Sequence, residues 1–149
     1  MPLAPPGIAQ RWTVVGQTIA HWECTTLFDL PADDPTHLVV HPAAVTVYSL
    51  RLDRDAVRTL LDTIATGNAC AVPARHAVHG ERLLGLRPVS LPGEPRWHES
   101  PADSPPIHGP MELYLHLPDA QIEIRFRRTA LLELAAILAM ATEEMTEAR

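Results

Sequence analysis

Lysine is absent from this chain: the twelve basic residues among its 149 are all arginine. They are spread along the sequence rather than clustered. Together with abundant Ala, Leu and Pro, this reads as the usage of a GC-rich bacterial genome, not as an arginine-built site. Basic charge is short as well, twelve against eighteen Asp and Glu, for a net charge of −6. That balance argues against a nucleic-acid partner, because phosphate neutralisation supplies most non-specific affinity. Cysteine is nearly missing. Cys24 and Cys70 stand far apart in a chain long enough to build its own core, so a disulfide framework is excluded and two buried thiols are expected. No apolar run approaches the ~20 residues that span a bilayer. Met1 to Gln10 has neither the basic start nor the apolar stretch of a signal peptide. The expectation is a cytoplasmic protein without membrane contact.

Chemical motifs are missing too. There is no phosphate-binding glycine loop, dinucleotide fingerprint, paired-histidine zinc-protease motif or nucleophile elbow. No catalytic residue and no cofactor is therefore assigned.

What is present is an ordinary globular composition, 46% apolar and 20% charged, with one excess. Fifteen prolines are about twice the usual ~5%, and seven of them fall between Pro88 and Pro110. Residues 1–10 read as a frayed tail, and residues 11–149 as one α+β domain interrupted by the proline-rich loop 88–110. Trp12 to Val15 is a short strand, Gly16-Gln17 a turn, and Thr18 to Phe28 an alternating strand. His37–Val40 and Ala44–Leu50 read as a hairpin, with Val40 beside Val45 and Leu38 beside Val47. Asp53 caps a helix to about Thr66, stopped by Gly67-Asn68, with Val57, Leu60, Leu61 and Ile64 on its core face. Ala69 to Arg87 holds one or two further strands.

The firmest pattern is Met111–Leu117 against Ala120–Arg127. Closing this hairpin at Pro118-Asp119 pairs Leu115 with Ile122, Leu113 with Ile124, Met111 with Phe126 and, on the wet face, Glu112 with Arg125. Thr129 caps a terminal helix to about Met145. The fold class expected is α+β, an antiparallel sheet of about five to seven strands with two helices packed on one face.

Two sets of residues carry candidate functions. Histidine and cysteine supply metal-ligand chemistry in His21, Cys24, Cys70, His76 and His79. Residues three apart on a strand point to opposite faces, however, which works against His21 and Cys24 sharing an ion. The terminal helix is apolar over a wide arc, with Leu132 and Ile137 flanking the main stripe and Met140 among glutamates, more than one sheet requires. Arg96 and Trp97 lie in the proline-rich loop, where an aromatic and an arginine are typical interface anchors. The leading expectation is a non-catalytic interaction protein, a homodimer or the binder of another protein, self-associating through its C-terminal helix. The rival is a small-molecule or zinc-binding protein, possibly an enzyme, working through the His and Cys residues.

Overall fold

A computed structural model describes residues 6–20, 22–44, 48–118 and 120–146. Among these residues ten strands and two α-helices follow the order β1 (Ile8–Gln17), β2 (Glu23–Pro31), β3 (His37–His41), β4 (Leu50–Asp53), α1 (Arg54–Thr66), β5 (Cys70–His76), β6 (Gly80–Pro88), β7 (Trp97–Glu99), β8 (Ile107–Gly109), β9 (Met111–Leu117), β10 (Ala120–Phe126) and α2 (Arg128–Glu144). Eight strands form one antiparallel sheet, more than the five to seven expected, in the order β1-β10-β9-β6-β5-β4-β3-β2. The sheet curls until its ends meet. Closure rests on one rung, Gln17 opposite Arg125.

The β9–β10 hairpin has the register read from the sequence: Leu115 opposite Ile122, Leu113 opposite Ile124, Met111 opposite Phe126 and Glu112 opposite Arg125. Its turn residue Asp119 lies outside the described residues. Helix α1 also follows its signals. The Asp53 side chain accepts from the Ala56 N–H at 2.8 Å, and Gly67, with φ 77°, closes the helix by donating to the Thr63 carbonyl. A left-handed residue at this position is what glycine supplies without steric cost.

Four expectations are corrected. The first strand starts at Ile8, inside the stretch read as a tail, and runs through Gly16-Gln17 without turning. Gly16 is a close approach, not a turn: a Cβ there would sit 2.5 Å from Ile124 Cγ2. Strand β3 pairs with Leu50–Asp53, placing Val40 opposite Leu50 and Leu38 opposite Leu52; Val45 and Val47 lie outside the described residues. The proline-rich segment is not structureless, because β7 and β8 pair within it as a small separate sheet. Finally, Arg127 rather than Thr129 precedes the terminal helix, and it makes no side-chain cap.

Both helices cover the concave face of the curled sheet. Phe28, Val40, Leu84, Leu86 and Leu113 from the strands meet Leu60 of α1 and Leu134 and Leu138 of α2 around a void of only about 10 Å³. The space inside the sheet is thus filled by the side chains of strands and helices together.

Candidate functional site

Helix α2 owes its wide apolar arc to burial on two sides, against the strands and against α1. Leu131, Leu134, Ala135, Ile137, Leu138 and Ala141 are all buried. This corrects one proposed contact residue: Ile137, only 5% exposed, belongs to the core. Leu132 is half-buried and Met140 is 43% exposed. Between them lies Ala136, also exposed. With Arg128 and Glu144, both exposed, these residues form one row at i+4 spacing, Arg128-Leu132-Ala136-Met140-Glu144, which on a helix is a continuous surface ridge.

Beside this ridge runs an apolar groove of about 240 Å³. Leu132, Ala135, Ala136 and Ala139 of α2 form one wall, Leu61 and Ala65 of α1 another, and Pro105, Pro106 and Ile107 a third. The three alanines keep the α2 wall low. The proline-rich segment is held down through β7: Arg128 binds Glu99, and Trp97 packs inward over Gly109, where a Cβ would fall 2.4 Å from the indole. Trp97 therefore plugs the edge of the core, with its indole N–H buried and without an acceptor among the described residues. Arg96 beside it is exposed.

The metal-ligand candidates do not converge. Cys70 and His76 begin and end the same strand, roughly 20 Å apart at ~3.3 Å per residue. His76 and His79 do stack, with ring centroids 4.9 Å apart. But His76 Nδ1 accepts the backbone N–H groups of Val78 and His79, each at 3.1 Å, which fixes it as the organiser of the β5–β6 turn. Cys24 is half-buried on β2, and burial pushes its thiol up from the ordinary value, away from the thiolate that binds metal. His21 lies outside the described residues. Among the described residues no group of three or more His, Cys, Asp or Glu side chains is placed to hold a metal ion.

One polar constellation was not visible in the sequence. On the outer face of β1–β3, Asp29 is 1% exposed. It accepts from Arg11 Nε at 2.6 Å and Arg11 Nη2 at 2.7 Å, and its Oδ2 lies 2.9 Å from His41 Nε2. His41 Nδ1 lies 2.5 Å from Ser49 Oγ. Burial pushes the Asp29 carboxyl up, but the hydrogen bonds and charges of Arg11 and His41 outweigh it and hold the group below the ordinary value. Only strand register assembles these four residues, so no linear spacing announces them. A hydroxyl, an imidazole and a buried carboxylate in line can activate a serine. Here Arg11 already neutralises the carboxylate in a two-pronged contact, which commits Asp29 to a structural ion pair. The row chiefly ties β1, β2 and β3 to one another and to the residue that precedes β4.

The arginines of the opposite outer face are similarly engaged. Buried Glu112 accepts from Arg87 at 2.6 Å and 3.0 Å and from Arg125 at 3.1 Å, and Arg87 lies 4.3 Å from the centre of the Tyr114 ring. Comparison of the chain with protein-family models, with curated proteins and with solved structures returned no match.

Proposed function

We propose that this chain is a non-catalytic interaction protein that self-associates through the exposed ridge of α2. The observation that carries this reading is the self-complementarity of that ridge. Two α2 helices laid antiparallel and centred on Ala136 set Leu132 of each copy opposite Met140 of the other, and Arg128 opposite Glu144. Apolar meets apolar and cation meets anion, twice over, as a two-fold contact requires. The small residue at the centre lets the helix axes approach to the ~8 Å lower limit of helix packing, and the flanking groove receives the methionine of the second copy.

The test is sedimentation equilibrium on the wild type and a charge cycle, all carrying Glu99→Gln so that the contact of Arg128 within its own chain stays constant. Glu144→Arg turns two attractive contacts into two repulsive ones. At about 1 kcal/mol for each exposed pair, the dissociation constant rises roughly tenfold or more. Adding Arg128→Glu restores it. A monomeric wild type, or a double reversal no tighter than the single one, overturns the reading.

A further inference from the structure

The groove between α1, α2 and the proline-rich segment has a chemistry of its own. Eleven of its twelve lining residues are Leu, Ile, Ala or Pro, and the twelfth is Ser104. Ile64, Ile107 and Ala135, all buried, close its floor. A loop wall ordinarily presents backbone N–H groups, but Pro101, Pro105 and Pro106 have none. The Ser104 N–H is turned to the Pro101 carbonyl at 3.5 Å. A polar group entering here gives up water and finds no backbone donor among the loop residues that line the groove, which is a net cost. No aromatic side chain lines it either, so a planar ligand has nothing to stack on.

Shape narrows the occupant further. The α2 wall runs from Leu132 to Ala139, ~10 Å at 1.5 Å per residue. With a volume of about 240 Å³, that length leaves a cross-section of roughly 24 Å². One extended hydrocarbon chain fills such a channel and a second cannot share it. An apolar cavity of ~150 Å³ takes benzene, so by the same measure this groove takes about eight to ten carbons. We propose that it binds the aliphatic tail of a medium-chain amphiphile, the tail lying along α2 and the head group staying in water at the open side. The tail is held by the burial of its methylenes and by dispersion contacts. This site stands on the lining of the groove itself and goes beyond self-association through the ridge. Because Met140 of a second copy is placed to enter the same groove, the test removes that side chain.

The experiment is calorimetric titration of the Met140→Glu protein with hexyl, octyl, decyl and dodecyl maltoside, each below its micelle concentration. Met140 does not line the groove of its own chain, so the variant keeps the site intact. Titrations at two temperatures register binding whose heat vanishes at one of them, since burying apolar surface lowers the heat capacity. Affinity should rise about fourfold for each methylene that enters the groove, then level off between octyl and decyl. Ala139→Leu and Ala65→Leu fill the groove from α2 and from α1. Each should weaken octyl maltoside binding at least ~10-fold while leaving the melting temperature of the free protein unchanged. A failure here leaves the α2 reading standing, and a monomeric wild type leaves this one standing. No saturable heat at either temperature, an affinity indifferent to tail length or still climbing at dodecyl, or binding unaltered in both alanine variants overturns the proposal.

Discussion

Removing Arg11 should unsettle the fold more than removing the carboxylate it serves. In Arg11→Ala, Asp29 stays buried and keeps only His41 as a side-chain hydrogen-bond partner among the described residues. Two short charge-assisted bonds go, at 2.6 Å and 2.7 Å. Breaking a buried pair from one side costs ~3–5 kcal/mol. The Arg11 side chain is 33% exposed, so solvent screening trims the figure to about 2–3 kcal/mol. Asp29→Asn leaves instead a guanidinium that can turn into water, and should cost only about 1–2 kcal/mol.

The pH dependence separates the two mechanisms. In the wild type the Asp29 carboxyl is held below its ordinary value of 3.8. It therefore contributes stability above that value and loses it as pH falls through the folded-state value. Without Arg11 the upward push of burial remains and the strongest downward cause is gone. The folded-state value then rises towards or above that of the unfolded chain, and protonation begins to favour the fold. The penalty of Arg11→Ala should thus shrink between pH 7 and pH 4, whereas that of Asp29→Asn, relative to wild type, shrinks only as Asp29 itself protonates below that range. Urea unfolding followed by tryptophan fluorescence at the two pH values measures both. A penalty for Arg11→Ala below about 1 kcal/mol at pH 7, or one unchanged at pH 4, refutes the reasoning.

Two further substitutions test the packing. Gly85 lies beneath Tyr114, and a Cβ there would fall 1.9 Å from the ring; Gly85→Ala should cost about 1–3 kcal/mol in chemical denaturation, and most of that cost should vanish when Tyr114→Ala is added. Asp53→Ala removes the cap bond to Ala56 and should cost about 1 kcal/mol, with amide exchange accelerating first at Ala56.

Where signals were local, the sequence could be read residue by residue. Strict alternation on both sides of Pro118-Asp119 left one register for β9 and β10, because a one-residue slip would bury Glu123 and Arg125. Asp53 and Gly67 marked both ends of α1 by the conformations they favour. Glycine was misleading at Gly16, since turn-forming and close-approach glycines look alike in a sequence. The latter is recognised only once Ile124 and Phe126 are known to lie over it. His41-Pro42-Ala43 was mistaken for a tight turn for a related reason. Proline and a left-handed residue (Ala43, φ 55°) do sit there, but they open a longer connection that ends at Ser49.

The candidate surfaces were legible to different degrees, and the difference is physical. An i+4 ridge is periodic, so Leu132 and Met140 could be picked from α2 by spacing alone. Whether an apolar residue on that helix faces a second copy or its own core depends on how many neighbours the helix has, and Ile137 was lost to that ambiguity once α1 and the strands closed on it from two sides. The cluster around Asp29 carries no residue pattern at all. Strand order alone assembles Arg11, Asp29 and His41 across β1, β2 and β3, with Ser49 from the connection before β4. Surfaces made by side-chain periodicity are written locally, while those made by strand order appear only after the sheet has closed.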